Sequence, residues 1–367
     1  SLQWALDRQM TVRRSMGPLV RCRCLLAPLL GLLQMPAGLT DVAEAACDAA
    51  SGTGCGAAVS GLQKVRLSLE WFMNPDHLPL LVANRTGLFR SEGIEVEIIE
   101  PDEHFAPIDK IESGELDVAI TEPIHLVQDR AKGEKVLGFA RFLHTDGGVM
   151  YRREAGITRP RDMCRLKEDG SKLRLTYPGA PGILGPAIVK TMAEADGAVC
   201  DAQATLEVLD EGFYHTKALQ EDKADVATLI FYNFEMVEAR HAGLNASFFS
   251  LKHWGVPDFC QLIYMTTTSH FSRRAGAMRA LTMATRKAVD WIKIHPDEAK
   301  RIYNDWTGQD AADKMNADIL DATLPMFPND QSMAWEYYEN LERWLQGTGQ
   351  LEKAIGARDY WTNALAV

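Results

Sequence analysis

The sequence predicts an α/β protein of two similarly wound lobes, with parallel-rich sheets in each lobe and a helical C-terminal extension. Three observations predict it. The stretch "GELDVAITEPIHLVQDRAKG" (114–133) returns in altered form as "KADVATLIFYNFEMVEARHAG" (223–243), with Asp117 and Asp225 separated by 108 positions. Tandem arrays repeat at about 20–50 residues, so one long-period recurrence indicates two lobes rather than a solenoid. Short β-type runs alternate with helical ones before each copy, the pattern of a parallel sheet with right-handed crossovers. After residue 268 the pattern turns helical throughout.

In chain order, "KVRLSLEWF" reads as a strand, "HLPLLVANRTGLF" as a helix closed by Gly87, "EVEIIE" as a strand, and "APIDKIESG" as a helix. "DVAITEP" follows as a strand, with Pro123 opening the next helix. "KVLGFARF" and "GGVMYRRE" add two strands. The alternation restarts with "KLRLTYPG", "GPAIVKTMAEADG", "TLEVLD", "HTKALQEDK", "ADVATLIF" and "NFEMVEARHAG", so that Asp117 and Asp225 each open the third strand of a βαβαβ unit. "DFCQLIYMTTT" (258–268) reads as a strand returning to the first lobe. A long helix then places Met278, Leu281, Thr285, Ala288 and Ile292 on one face, and Pro296 punctuates it. Further helices are expected over 296–307, 311–323 and 332–346. The expected organisation is a leader at 1–63, a first lobe of 64–156 plus about 258–367, and a second lobe of 157–257.

The first 63 residues differ in kind from the rest. Between Arg8 and Thr40 there are five arginines and no acid, followed by the apolar run "CLLAPLLGLL" and a small-residue stretch. That order is the order of a targeting peptide, organellar or secretory, and ten apolar residues are too few to span a bilayer, which needs about 20. The whole chain of 367 residues carries a net charge of −11, against a nucleic-acid surface, which needs a clustered basic face. Of seven cysteines, four lie in the leader, and Cys164, Cys200 and Cys260 are too scattered for a disulfide framework or a CxxC metal site. Buried free thiols are the expectation for the three.

In open parallel sheets ligands meet the carboxyl ends of strands, so the following turns carry the candidate site. The first turn, "EWFMNPDHLP", offers Trp71 as a stacking face, Asn74 as a two-way hydrogen bonder and Asp76 or His77 at a helix start. "TEPIHL" supplies Glu122 and His125, three residues apart across a helix start. Its twin "FYNFEM" supplies Tyr232, Asn233 and Glu235. The Gly-rich break "YPGAPGILGP", with Tyr177, Gly179 and Gly182, can present backbone N–H groups, though it matches neither the Walker spacing nor GxGxxG. "HTDGGVMY", with Gly147 and Gly148, reads either as a segment closing the pocket or as a hairpin turn between its two strands. Aromatic faces, amides and carboxylates without an Arg/Lys cluster favour a flat ligand bearing N–H donors over a sulfonate or phosphate. Glu122 and Glu235 are the carboxylates expected to face an aminopyrimidine.

The segments "LEWFMNPDHLPLLVANRTGLFRSEGIEVEIIEP", "SGELDVAITEPIHLVQDRAKG" and "PGAPGILGPAIVKTM" resemble the periplasmic-binding-protein-like superfamily, type II, over roughly residues 64–300. That group includes the fungal thiamine-pyrimidine synthases and the bacterial pyrimidine-precursor and alkanesulfonate-binding proteins. The resemblance implies a small pyrimidine-like ligand between two lobes, and a transporter partner for the binding-protein branch. In the synthases, a Lys four positions before the His of this motif holds pyridoxal phosphate, that His is itself consumed, and a cysteine-rich motif serves an iron-dependent reaction. His125 matches the His, but Thr121 stands in place of the Lys and cannot form a Schiff base; the late strand holds one cysteine. The expectation is therefore a binding protein without a cofactor. A synthase-like enzyme is the alternative, with His125 catalytic, pyridoxal phosphate and iron as cofactors, and His77, Glu122 and His125 as possible iron donors.

Overall fold

The strand runs and helical runs fold into two five-stranded sheets of matching topology. The computed structural model describes residues 61–101, 107–177, 182–212 and 214–367. The expected leader, apart from its last residues, lies outside these, as do its four cysteines and Gly179. The first sheet has the order β2-β1-β3-β10-β4, built from β1 (Gln63–Ser68), β2 (Ile94–Ile99), β3 (Val118–Thr121), β4 (Val136–His144) and β10 (Gln261–Thr267). The second has the order β7-β6-β8-β5-β9, from β5 (Gly147–Arg152), β6 (Leu173–Thr176), β7 (Leu206–Leu209), β8 (Val226–Phe231) and β9 (Ala246–Ser250). In each sheet three parallel strands are followed by one that runs against them, β10 or β5, and then by an edge strand, β4 or β9, that pairs antiparallel with it.

The long-period repeat has a physical cause. Asp117 Oδ2 accepts hydrogen bonds from the backbone N–H and Nε of Arg66, at 2.8 and 3.1 Å, across a sequence separation of 51. Asp225 Oδ2 accepts the same pair from Arg174, at 2.9 and 3.1 Å, again across 51 residues. Both aspartates are buried. Each clamp sets the parallel register of the neighbouring strands: Leu67 lies opposite Val118 in the first sheet, and Leu175 opposite Val226 in the second. Arg274 and His270 of the long helix Thr268–Ile294 also reach Asp117, tying the helical extension to the first clamp. Lys167 reaches Asp225 at 2.6 Å in the second.

The long helix buries Met278, Leu281, Thr285, Ala288 and Ile292, the face read from its periodicity. The helix Pro296–Thr307 packs on the helix Leu78–Arg85, and the helix Lys314–Thr323 packs on Glu235–His241 of the second lobe.

Three features differ from the sequence reading. The strand Gly147–Arg152, placed there in the first lobe, pairs with β8 and β9 in the second sheet. Two strands joined by Thr145 and Asp146 look like a hairpin in sequence, but here the turn carries the chain from one sheet to the other. The return crossing runs beside it: His144 Nε2 meets Asp258 at 2.8 Å, and Thr145 N–H donates to the Cys260 carbonyl at 3.2 Å. The strand Ala246–Ser250 was not foreseen, being a short, half-buried edge. Cys164 and Cys200, expected as free thiols, form a disulfide with Cα atoms 5.4 Å apart, joining the short helix at Pro160–Cys164 to the segment after the helix Leu184–Ala195. Cys260 is free and buried.

Burial alone would raise the Asp225 carboxyl, but hydrogen bonds from Arg174 and Lys167 overcome it and hold it down at about 2. Burial likewise opposes ionisation of Asp117, and the N–H groups of Arg66 with the charge of Arg274 bring it below its ordinary value. Asp117→Asn and Asp225→Asn are each expected to cost about 2 kcal/mol in urea unfolding, since each leaves half-buried cations short of their buried anion. Both native pKa values lie below those of the unfolded chain. The clamps' contribution is therefore complete above about pH 4 and is lost as the pH falls towards the native values, which acid unfolding of wild type against the two variants will measure.

Candidate functional site

The turn after β1 is built as a rigid unit. Asn74 Oδ1 accepts from the Asp76 N–H at 2.8 Å, and Asn74 Nδ2 donates to the Phe72 carbonyl at 3.1 Å, so this side chain organises the turn. His77 is fully buried; its Nδ1 accepts from the Asn74 N–H at 3.3 Å, and its Nε2 lies 3.0 Å from Glu70 Oε1. Burial works against a charged imidazole, but the Glu70 carboxylate more than compensates and lifts the His77 pKa above its ordinary value. Glu70, both of whose oxygens lie on His77 Nε2 at 3.0 and 3.1 Å, is thereby held at the edge of the turn beside an open space.

That space is a cavity of about 1310 Å³. The first lobe contributes Glu70, Thr121 and His125, the second contributes Tyr177, Gly182 and Leu184, and residues 349–355 of the C-terminal extension close a third side. Tyr177 is buried against Gly185, where a Cβ would collide with its ring, and its hydroxyl donates to the Gly182 carbonyl. Burial pushes the Tyr177 phenol up to about 12, so it remains a donor across the physiological range.

Of the residues singled out in the sequence, His125, Tyr177 and Gly182 line this cavity. Trp71 lies beside it in an aromatic cluster that joins the lobes, with its ring centroid 4.4 Å from Phe72 and 5.5 Å from Phe234. The other carboxylate and amide positions are committed to the protein. Asn233 is a buried junction: its Nδ2 donates to Asp76 Oδ1 at 2.6 Å and to Thr323 Oγ1 at 2.8 Å, while its Oδ1 accepts from Thr145 Oγ1 at 2.6 Å. Glu235 receives the Phe231 N–H at 2.8 Å and pairs with His215 Nδ1 at 3.0 Å. Neither has the capacity left to grip a ligand as expected. Tyr232 is 43 % exposed and turned to Phe248 and Arg240, away from the lining residues. Gly148 is a packing glycine, since a Cβ there would collide with the Phe248 ring and the Phe249 carbonyl.

Glu122 sits behind the cavity wall rather than on it. Burial, reinforced by the charges of Glu70 and Glu235, pushes its carboxyl up to about 8, and its Oε2 is buried without a hydrogen-bond partner. Burial also raises Asp76 to about 7, against the counter-effects of His77 and the Asn233 hydrogen bond. Glu70 does line the cavity, as do Asp129 and Glu352. Its position directly before Trp71 in the first quoted turn was the available signal, but the residue reads there as part of the strand. The wall at 349–355 carried no sequence signal for a site. Both ring nitrogens of His77 are engaged, so the trio His77, Glu122 and His125 does not fit iron, and no group of three or more His, Cys, Asp or Glu among the described residues is arranged to hold a metal ion. Thr121 lines the cavity at the position where the resemblance requires a Schiff-base lysine, and a threonine supplies no amine there.

The native state holds protons on Glu122 and Asp76 at pH values where the unfolded chain has released them, so stability is expected to fall as pH rises from about 5 to 8. Melting temperatures of the wild type should decline over that range, and Glu122→Gln should flatten the decline; an unchanged slope in the variant would remove Glu122 from the account.

The sequence and fold have known counterparts. The chain is 26 % identical over 312 residues to the formylaminopyrimidine-binding protein of Halalkalibacterium halodurans, covering 82 % of this chain and 90 % of that one. It is 25 % identical over 256 residues to a 4-amino-5-hydroxymethyl-2-methylpyrimidine phosphate synthase of Saccharomyces cerevisiae, covering 67 % of this chain and 72 % of the synthase. The fold aligns with the alkanesulfonate-binding protein SsuA of Xanthomonas axonopodis pv. citri at a TM-score of 0.60 and 11 % identity, over 82 % of this chain and 99 % of SsuA, which makes this a two-lobed periplasmic-binding-protein fold. The model of the NMT1/THI5-like family matches residues 74–299, and the chain belongs to that family.

Proposed function

We propose that this chain binds a thiamine-type pyrimidine precursor, or a closely related flat amino-heterocycle, in the cleft between its lobes, and does so without catalysing its formation. The observation that carries the reading is the makeup of the cavity. A carboxylate (Glu70) and an imidazole (His125) from the first lobe face a buried tyrosine (Tyr177) from the second, with the Trp71 indole alongside. A carboxylate accepts the paired N–H donors of an aminopyrimidine, and an indole provides a stacking face. The relative that binds formylaminopyrimidine is matched over nine-tenths of its length, which supports the same ligand class. Thr121 favours binding over synthesis, because it supplies no amine for an aldehyde cofactor.

In this reading the Trp71 indole, 5.5 Å between centroids from Phe234 of the second lobe, is the stacking face for the heterocycle. Hinged closure requires the two crossings to flex together, and His144, Thr145, Asp258 and Cys260 join them side by side. The disulfide between Cys164 and Cys200 favours an oxidising compartment, secreted or periplasmic.

Isothermal titration tests the reading. Aminopyrimidines bearing a 5-substituent should bind with measurable heat, and taurine and alkanesulfonates should not. Trp71→Ala should weaken pyrimidine binding about 10- to 100-fold, the worth of a buried aromatic contact. Binding of sulfonates in place of pyrimidines would move the chain to the sulfonate branch of the fold.

A further inference from the structure

The span matched by the family ends at residue 299, and the chain beyond it is rooted in the first lobe. Its last segment lies along the edge strand β4: the Gly138 N–H donates to the Tyr360 carbonyl at 2.8 Å, and the Thr362 N–H donates to the Gly138 carbonyl at 3.0 Å. Trp361 covers Gly138 so closely that a Cβ there would strike its ring. Earlier in the extension, the helix Pro296–Thr307 packs on the helix Leu78–Arg85, and the Arg141 N–H donates to the Gln331 carbonyl at 2.9 Å.

From that root the extension reaches the second lobe on both faces of its sheet. Successive residues of a strand face opposite sides. Met150 and Ala227 share one core with Met236 and Ala239 of the helix Glu235–His241, whereas Val149 and Val226 share another with Ile188 and Met192 of the helix Leu184–Ala195. The helix Lys314–Thr323 docks on the first of these helices, where Asn233 Nδ2 donates to Thr323 Oγ1 at 2.8 Å and His241 Nε2 lies 2.8 Å from Asp318 Oδ2. The helix Trp335–Gly347 reaches the second, where Trp344 Nε1 donates to Thr191 Oγ1 at 3.0 Å.

The two grips are unequal. Asn233 and Thr323 are buried, and the Asn233 carboxamide also holds Asp76 and Thr145 of the outgoing crossing, each at 2.6 Å. Breaking that junction would strand several buried polar groups at once. Trp344 and Thr191 are half-buried and joined through a neutral hydrogen bond that water can replace. A groove of about 510 Å³ lies between Asn340, Arg343 and Trp344 of the helix and the segment 255–258, so packing on that side is incomplete.

A wall of the cavity follows directly on the weaker grip. Residues 349–355 are tied back to the helix Trp335–Gly347: the N–H groups of Gln350 and Leu351 donate to the Leu345 carbonyl at 2.8 and 3.2 Å, and the buried Glu342 carboxylate accepts those of Ile355 and Gly356 at 2.9 and 3.1 Å. The second lobe's share of the wall includes Gly182, Ile183 and Leu184, where the helix that carries Thr191 begins.

We propose that the C-terminal extension is a two-sided brace that sets the angle between the lobes, with the Asn233 junction as its pivot and the Trp344–Thr191 bond as its release point. When that bond opens, the second lobe turns about the junction and the start of the helix Leu184–Ala195 draws away from residues 349–355. The cleft then admits or releases its ligand. The device governs passage into the cleft and stands whichever ligand the cleft holds.

Pulsed electron resonance on the full chain tests it, with spin labels coupled through a keto amino acid so that the cysteines stay as they are. One pair, at Glu194 and Glu339, spans the release side, and another, at Ala242 and Ala312, spans the pivot side; all four positions are exposed. Trp344→Phe keeps an aromatic ring and Thr191→Val keeps the side chain's shape, while each removes the bond. Each variant should enlarge the population with the longer Glu194–Glu339 distance about 5-fold over wild type, the worth of one neutral hydrogen bond, and leave the Ala242–Ala312 distance unchanged. Release of 4-amino-5-(formylaminomethyl)-2-methylpyrimidine, followed by stopped flow, should quicken by about the same factor. Wild-type distances in both variants would overturn the brace, and so would equal lengthening of both pairs, since no pivot would then exist. Longer distances with release at the wild-type rate would overturn the gating role, because ligand would be leaving by another route. If that probe does not bind wild type, the pyrimidine reading falls, and the distances alone decide the brace.

Discussion

The structure depends on one interaction made twice. A buried aspartate at the start of the third strand takes the backbone N–H and the guanidinium of an arginine on the first strand, in each lobe and with the same spacing. The bond is directional and charged, and it is sheltered from water by the sheet's own edge, so it sets which residues of the parallel strands stand opposite each other. A slip of one residue would turn every side chain of the strand to the wrong face. With the register set, the turns after β1 and β3 must emerge together at the carboxyl edge of the first sheet, and the turn after β6 must do so at the second. The cavity residues Glu70, Thr121, His125 and Tyr177 are consequences of that placement.

Above the clamps, the molecule uses its polar groups in two distinct ways. Asn233, Asp76, Thr145 and Thr323 consume one another's hydrogen-bonding capacity and fasten the second lobe to the first. Glu235 is consumed likewise by His215 and the Phe231 N–H. Glu70, with both carboxylate oxygens on His77 Nε2 at 3.0 and 3.1 Å, still lines the cavity. Buried acids that are fully paired hold the fold, and the acid at the edge of the paired network is the one available to a ligand.

The recurrence of Asp-Val-Ala made the two lobes legible, because a buried ionic clamp demands the same residue types at the same spacing wherever it is used. The apolar stripe of the long helix was legible for a similar reason: five positions at helical spacing have one face to bury. Two of the quoted turns put residues on the cavity wall, His125 from one and Tyr177 and Gly182 from the other. What each turn residue does within them was not legible, since Asn233 and Glu235 look alike as ligand donors and as structural donors until their partners are known. The crossing at Thr145 and Asp146 reads as a hairpin because local spacing is the same whether two strands pair or diverge. Cys164 and Cys200 stand 36 residues apart, and only the path of the chain around the helix Leu184–Ala195 brings them together. The C-terminal wall was invisible for the same reason, its role being set by where the helix Trp335–Gly347 docks.

The central claim is that the space between Glu70, His125 and Tyr177 holds a planar amino-heterocycle. The most direct measurement is native mass spectrometry of the full chain purified without refolding from its own cells, followed by fragmentation of whatever small molecule leaves with it. The account expects a nitrogen heterocycle with an exocyclic amine, released at one per chain. A sulfonate or another ligand without a heterocyclic ring, bound at that ratio, would contradict it.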